Sequence, residues 1–298
     1  MKLATSAAIA LLFPFAASAA PESMTRAIES PYAARWLQPQ EPFRIFGETY
    51  FVGSFGMSNV LIRTDAGLVL IDGALPQSVA QIEENIRKLG FSIRDVKYIL
   101  NTEAHFDHSG GIAALAYDSG AVTVASPLGA AALKEGRVLD SDPQHGEIAN
   151  FPAVTQLRTI GDGEALHLGG TTITAHFTPG HTPGSTTWSW TACDAAKACR
   201  NVVFSASLSA VAADSYRFSD SKHGNYADNF RSSVRTIGKL PCDILITAHP
   251  EHSGMDAKLK LAPDAASFAD PAACRAYSAK YEDLLDARLK KELAAQPR

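Results

Sequence analysis

One short segment, residues 101–111 (NTEAHFDHSGG), constrains this chain more than any other part of its sequence. Within six positions it holds four potential metal ligands, which are Glu103, His105, Asp107 and His108. In an extended segment every second side chain projects to the same side, so Glu103, His105 and Asp107 are expected to point together. The next residue, His108, can face a second ion where the backbone bends, and the two glycines that follow permit that bend. The segment therefore predicts a metal site at the end of a strand.

Two further histidines lie at the ends of predicted strands. His181 follows a Pro-Gly pair, and His249 directly precedes a proline. Imidazole is a common zinc ligand, and loops at strand ends can gather ligands from distant parts of the chain. A lone loop histidine is usually solvated or hydrogen-bonded, so the cluster at 103–108 is what favours metal binding. The other histidines are interpreted as structural, with two of them, His223 and His252, as possible pocket-rim residues. This group comprises His145, His167, His176, His223 and His252.

Alternating short strands and helices are predicted along the rest of the chain. Runs of β-branched and aromatic residues between Gly, Asp and Ser predict strands, and apolar residues at helical spacing predict a helix at 76–89. The predicted strands are 48–53, 59–64, 67–73, 96–101, 121–126, 164–170, 171–180, 185–190, 201–206 and 242–250. The predicted helices are 76–89, 110–118, 127–134, 229–240 and 272–294. This order favours two mixed sheets with helices outside, in a single domain.

The amino terminus has the features of a secretory signal. Lys2 is its only charge, an apolar run follows from about residue 7 to 17, and Ala17-Ser18-Ala19 suits signal peptidase. We expect residues 1–19 to be removed and residues 20–298 to form the mature domain. The apolar run is shorter than the roughly 20 residues that span a bilayer, so no membrane anchor is expected.

Export changes the interpretation of the four cysteines. In an oxidising compartment, an even number of cysteines without CxxC spacing favours disulfides over metal or redox chemistry. Cys193 and Cys199 flank a polar segment and are expected to pair locally, which leaves Cys242 to pair with Cys274. Four buried free thiols are the alternative.

The charge balance argues against nucleic acid as a partner. The chain of 298 residues has 27 Lys and Arg against 31 Asp and Glu, a formal charge of −4, and no basic cluster. Nucleic-acid binding relies on basic surfaces that release counterions, so that class of partner is excluded.

The segment TEAHFDHSGG resembles the HxHxDH zinc signature of the metallo-β-lactamase superfamily, with Glu103 where the first histidine usually stands. The segments TAHFTPGHTPGSTTW and LPCDILITAHP resemble the strand and loop elements that carry the third and sixth ligands of that fold. The resemblance extends over nearly all of residues 20–298 and points to the third subclass of class B β-lactamases, in a variant group with this glutamate. It implies a four-layered αββα sandwich.

The resemblance also implies two sets of ligands, one for each of two zinc ions. The first ion would be bound by Glu103, His105 and His181. The second would be bound by Asp107, His108 and His249, with a hydroxide between the ions that Asp107 also orients. Three protein ligands for each ion leave open positions for water and substrate, as catalytic zinc requires. Two histidines and one carboxylate can also hold iron(II), so iron is an alternative at the Glu103 position.

Two serines in the segment SASLSA are the candidate substrate contacts. The segment lacks the Asp or Cys found at this place in other members of the superfamily, and it resembles the third subclass. There, serines at the positions of Ser207 and Ser209 help to receive the carboxylate of the substrate. Solvated loop hydroxyls are the alternative. Trp36 and residues 145–156 are expected to border the same groove.

The function implied by the resemblance is zinc-dependent hydrolysis of the β-lactam amide bond by the bridging hydroxide. Export to the periplasm favours this substrate, since antibiotics against wall synthesis are met there. The alternatives are a lactonase or thioesterase of the same fold and a metal-dependent binding protein without turnover. We expect a monomer whose partners are β-lactam antibiotics. Glu103 would lower the charge of the site from about +2 to about +1, which should weaken carbonyl polarisation and raise the pKa of bound water.

Overall fold

The computed structural model describes residues 19–260 and 268–295. The predicted signal peptide, residues 1–19, therefore lies outside the described residues except for Ala19. The strands of the first sheet are β1 Phe43–Phe46, β2 Thr49–Phe51, β3 Val60–Thr64, β4 Gly67–Ile71, β5 Val96–Leu100, β6 Val122–Ala125 and β7 Leu157–Thr159. Those of the second sheet are β8 Ala165–Leu168, β9 Thr171–Phe177, β10 Thr186–Cys193, β11 Cys199–Ser205 and β12 Ile244–Thr247.

The α-helices differ widely in length. They are α1 Glu22–Thr25, α2 Ala33–Trp36, α3 Val79–Lys88, α4 Phe106–Ser109, α5 Ile112–Ser119, α6 Pro127–Glu135, α7 Tyr226–Lys239, α8 Met255–Leu259 and α9 Ala273–Ala294. Single 3₁₀ turns cover Pro76–Ser78, Ile93–Asp95, Ser221–His223 and Pro250–His252. None of the described helices is long and apolar enough to cross a bilayer.

The first sheet keeps its seven strands in chain order, from β1 to β7. Neighbouring strands from β1 to β4 pair antiparallel, whereas those from β4 to β7 pair parallel. Parallel neighbours need crossover connections, and α3, α5 and α6 provide elements of these crossovers. Helix α3 buries Val79, Ile82 and Ile86 along one face, as their helical spacing predicts.

The second sheet has the order β12-β11-β10-β9-β8. Its strands pair antiparallel except for β11 and β12, which are parallel and are connected through α7. Trp188 on β10 is fully buried, and its indole nitrogen donates to the backbone oxygen of Asn101 at 3.0 Å. That bond ties the second sheet to the end of β5.

Three apolar cores define the layers. The central core joins residues from both sheets, among them Phe51 and Val60 from the first and Trp188 and Phe204 from the second. A second core lies between the first sheet and helices α3, α5 and α6, and a third lies between the second sheet and helices α7 and α9. The expected αββα sandwich with two mixed sheets is confirmed.

Every predicted strand and helix has a counterpart, but two strands were not predicted. Strand β1 belongs to the lead-in before the first predicted strand and forms a hairpin with β2 at Gly47, whose φ is 53°. Strand β7 is a three-residue strand at the sheet edge with two exposed residues, so it lacks an apolar alternation. It forms a strand because it pairs with β6, whose backbone hydrogen-bonding groups would otherwise be unpaired at the edge of the sheet.

Both expected disulfides are present. The Cys193–Cys199 bond joins directly paired residues of β10 and β11, six positions apart in sequence. The Cys242–Cys274 bond spans 32 positions and ties the segment before β12 to the first turn of α9. Cys274 is buried in the third core, so this bond fastens α9 to the second sheet.

We expect the two bonds to stabilise the fold unequally. Loop-closure entropy gives about 4 kcal/mol for the Cys242–Cys274 loop and about 2 kcal/mol for the shorter loop. The variant pair Cys242→Ala/Cys274→Ala should therefore lose more unfolding free energy in denaturant titration than Cys193→Ala/Cys199→Ala, which serves as its control. Equal losses would contradict an effect of loop length.

Candidate metal centre

The loop after β5 is fixed by buried hydrogen bonds. Asn101 Nδ2 donates to the backbone oxygen of Glu103 and to Ser109 Oγ, both at 2.9 Å. Asp72, which has a φ of 58°, accepts from Thr102 N at 2.8 Å and from Thr102 Oγ1 at 2.6 Å. The loop is thus held by hydrogen bonds to Asn101 and Asp72 within the protein.

The extended conformation of this loop ends at His105, because α4 begins at the next residue. Asp107 and His108 are successive residues of a helical turn, so the prediction that Asp107 projects from an extended segment is wrong. A close backbone approach holds this turn in place. A Cβ on Gly111 would lie 2.2 Å from the oxygen of Gly73, and Gly73 N donates to His108 O at 2.8 Å.

Asp107, His108 and His249, here called the Asp107 group, form a compact buried set. Asp107 Oδ2 lies 3.4 Å from Nε2 of each histidine, and the two Nε2 atoms are 3.2 Å apart. In a tetrahedral zinc site with ligands about 2.0–2.1 Å from the ion, neighbouring ligand atoms are about 3.3–3.4 Å apart. Among the described residues, only this group has all its ligand atoms within 4.8 Å of one another. Its spacing and chemistry fit zinc.

The charges in this group balance one another. Burial alone would raise the pKa of Asp107, but His108 and His249 outweigh it and hold that pKa well below its ordinary value. Burial alone would lower the pKa of His108, but Asp107 and Glu103 outweigh it and raise the pKa of His108 to about 10. A cation that binds His108 Nε2 takes the place of this proton, so binding releases it.

Glu103, His105 and His181, here called the Glu103 group, lie beside the first group but are less closely gathered. The rings of His105 and His181 are 4.9 Å apart between centroids. Glu103 is fully buried, and its Oε1 lies 2.8 Å from His108 Nε2. Burial alone would raise the pKa of Glu103, but His108, His181 and His105 outweigh it and hold that pKa well below its ordinary value. The carboxylate is therefore ionised and lies between the two groups.

Asp142, which was not among the predicted site residues, orients His105. Its carboxylate oxygens accept from His105 Nε2 at 3.1 and 3.3 Å, and both side chains are buried. With Nε2 donating to Asp142, Nδ1 is the ring atom left for a cation. Asp142 lies in an irregular turn 37 positions from His105, and no periodicity in the sequence connects the two.

His181 is oriented in the same manner by the segment after β11. Its Nδ1 donates to the backbone oxygen of Ser209 at 2.8 Å and lies 3.1 Å from Ser209 Oγ. Its Nε2 is therefore the unprotonated ring nitrogen, and it accepts a hydrogen bond from Gln144 Nε2 at 3.4 Å. Gln144, like Asp142, is a site residue that sequence reasoning missed.

The two candidate substrate serines both contact candidate metal ligands. Ser207 N donates to Glu103 Oε2 at 2.8 Å, and Ser207 Oγ donates to Glu103 Oε1 at 2.7 Å. Ser209 contacts His181, as described above. Both serines also line the groove above the site.

That groove has a volume of about 470 Å³ and includes His105, Asp107, His181 and His249 in its wall. Trp36 lines it, as expected, but within the predicted segment 145–156 only residues 147–149 do so. The Trp36 ring lies 5.4 Å from that of His249. The groove thus joins buried polar ligands to an aromatic wall.

His252 belongs to this groove, whereas His223 does not. The His252 ring lies 5.0 Å from that of His249, and burial, together with the adjacent His249, lowers the pKa of His252 to about 3. His223 instead stacks on Tyr216 with centroids 4.0 Å apart. The expectation of a rim position therefore holds for His252 alone.

Comparison with known proteins agrees with this geometry. A family model described as the metallo-β-lactamase superfamily matches residues 54–189. An uncharacterised Bacillus subtilis (strain 168) protein, YobT, is 31% identical over 142 residues, which cover 46% of this chain and 58% of that protein. The chain thus matches little more than half the length of this curated relative.

Solved structures match over much more of their length. One, described as the first B3 metallo-β-lactamase with an active-site glutamic acid, is 48% identical with a TM-score of 0.84, over 91% of this chain and 98% of that one. The Rm3 metallo-β-lactamase is 44% identical with a TM-score of 0.85, over 89% and 100%. The metallo-β-lactamase MIM-1 of Novosphingobium pentaromativorans is 35% identical with a TM-score of 0.83, over 93% and 100%. The chain therefore belongs to the metallo-β-lactamase superfamily and, within it, to the B3 metallo-β-lactamases.

Proposed function

We propose that this chain is a periplasmic dizinc enzyme that hydrolyses the amide bond of β-lactam antibiotics. The observation that carries the proposal is the Asp107 group, whose ligand atoms have the spacing of a tetrahedral zinc site. Two of its members, Asp107 and His249, line a groove large enough for a small molecule. Similar structures at 35–48% identity are named as metallo-β-lactamases, which supports this substrate class.

The two groups described above would each hold one zinc ion. Asp107, His108 and His249 would hold one, and Glu103, His105 and His181 the other. When bound, zinc lowers the pKa of a coordinated water to about 7 and polarises a carbonyl oxygen. Each group supplies three ligands and leaves room for water and substrate, an arrangement suited to a catalytic site rather than a structural one.

The side chains around the two metal-binding groups orient water, fix the histidine ligands and contact the substrate. Asp107 lines the groove and can accept a hydrogen bond that orients the attacking water. Asp142 and the Ser209 carbonyl fix the proton positions of His105 and His181, so that the second ring nitrogen of each carries a lone pair that can bind metal. Trp36 supplies an apolar wall against which a ring of the substrate can pack. The burial of the ligands keeps bulk water from weakening these interactions.

Export is part of the same proposal. A signal peptide at residues 1–19 would deliver a mature domain of residues 20–298 to the compartment in which wall-directed antibiotics act. Such a compartment is also oxidising, as the two disulfides require.

Removal of metal should abolish β-lactam hydrolysis. We expect the purified mature chain to hydrolyse nitrocefin and a carbapenem. Treatment with a chelator should lower the rate of hydrolysis at least about 100-fold, and added zinc should restore it. Metal content is measured alongside turnover, and an acyl-homoserine lactone and a thioester serve as comparison substrates. Faster turnover of the lactone or the thioester would instead identify a different hydrolase of this fold.

Truncation of His249 should remove one zinc ion. In His249→Ala the Asp107 group keeps two of its three ligands, so metal analysis should find one ion fewer for each chain and turnover should fall by at least about 100-fold. His176→Ala is the matched control, because His176 is a partly buried histidine that does not line this groove. Its Nε2 forms a hydrogen bond with Ser189 Oγ at 2.8 Å. Full zinc content in His249→Ala would contradict the assignment.

Replacement of Glu103 by histidine should move the pH dependence of turnover. Glu103→His removes one negative charge from the site, which favours the deprotonated form of bound water. The acid limb of the pH–rate profile should therefore shift to lower pH, measured as kcat against pH at full zinc occupancy. An unchanged profile would rule out an electronic role for the carboxylate.

A further inference from the structure

Ser207 contacts Glu103 through both of its hydrogen-bond donors. Its backbone N–H reaches Oε2 at 2.8 Å and its hydroxyl reaches Oε1 at 2.7 Å, with both residues fully or almost fully buried. The serine follows β11, so the second sheet holds a side chain from the loop after β5 in the first sheet. Among the described residues, Ser207 alone forms hydrogen bonds to both carboxylate oxygens of a candidate metal ligand.

The hydrogen-bond capacity of the carboxylate explains what this contact achieves. Each oxygen of Glu103 has two acceptor positions. On Oε1 one of these accepts from Ser207 Oγ, and on Oε2 one accepts from Ser207 N. The second position of Oε1 lies toward His108 Nε2, the atom that the proposed function assigns to the other metal ion. The serine thereby fixes the rotation of the carboxylate and leaves acceptor positions for a cation.

The same contact depends on a carboxylate at position 103. A neutral imidazole has one acceptor nitrogen, so it cannot receive both donors of Ser207. The hydroxyl has only one hydrogen, so Ser207 cannot donate it to a substrate carboxylate while it donates to Glu103. The hydrogen bond from Ser207 to Glu103 therefore competes with the role that the family resemblance implies for Ser207, which is to bind the substrate carboxylate.

We infer that Ser207 is a positioning residue for Glu103, and that the two act as one unit in holding the first metal ion. The inference rests on the metal site of the proposed function, and it does not depend on which substrate is hydrolysed. Outer partners of metal ligands change affinity by about 10–100-fold when they are removed. Ser207 should act on metal affinity and leave substrate affinity nearly unchanged.

The test is a double-mutant cycle read by zinc affinity. Ser207→Ala is made in the parent chain and in Glu103→His, and zinc dissociation constants are measured by competition with a chromophoric chelator. We expect Ser207→Ala to weaken one of the two zinc dissociation constants about 10-fold in the parent, that of the ion held by Glu103, and to change neither constant in Glu103→His. An equal effect in both backgrounds, or none in the parent, overturns the inference. Ser205→Ala is the matched control, since Ser205 is a buried serine whose hydroxyl bonds the Ala206 carbonyl.

A second measurement needs no substitution at position 103. The cobalt(II)-loaded parent, Ser207→Ala and Ser205→Ala are compared by visible absorption, which responds to ligand geometry. The Ser207→Ala spectrum should differ from the other two, and identical spectra would contradict a positioning role.

Kinetics separate this inference from the proposed function. With zinc saturating, Ser207→Ala should change the KM for nitrocefin by less than about twofold, and a large rise in KM at unchanged zinc affinity would make Ser207 a substrate contact instead. A parent chain that binds two zinc ions without hydrolysing a β-lactam would refute the proposed substrate but leave the Ser207 result standing.

Discussion

Burial of opposite charges in one small volume is the constraint on which this site depends. Glu103, Asp107 and Asp72 are carboxyl groups at 0–6% exposure, and each isolated charge would be strongly unfavourable there. His108 offsets all three, since its Nε2 faces Glu103 and Asp107 and its Nδ1 lies 3.9 Å from Asp72. Burial nevertheless raises the pKa of Asp72 to about 7, although His108 and the hydrogen bonds from Thr102 oppose this shift. Cations would complete the balance.

The sandwich provides the rigidity that this arrangement needs. The Asp107 group draws on the turn after β5 and on the end of β12, one from each sheet, and the central core locks the sheets together. Its two histidines are 141 positions apart, yet their nitrogens lie within 3.2 Å. Ligands on loops between fixed strand ends can be held at such a distance, whereas a flexible chain would have to order them on binding.

A layer of polar groups surrounds the candidate ligands, and it differs between the two groups. The Asp107 group is compact, and its histidines have few strong outer partners. His249 Nδ1 donates to Gly56 O at 3.3 Å, and His108 Nδ1 has no hydrogen bond to any residue that the structure describes. The Glu103 group is looser but has an outer partner for every member, in Ser207, Asp142 and Ser209. The structure therefore relies on outer hydrogen bonds where the ligands themselves are less closely gathered.

The sequence by itself determined the elements and the ligand types. Residue composition and, in α3, helical periodicity located the long strands and helices, and the density of Glu, His and Asp at 103–108 identified the site, because these patterns are local. What only the tertiary structure decided depends on contacts across long distances. Examples are the helical turn that carries Asp107, the short strands β1 and β7, the hydrogen bond from His105 to Asp142, and the two hydrogen bonds from Ser207 to Glu103. No local pattern encodes these features, since each forms only when the packing of two sheets brings separate loops to the same place.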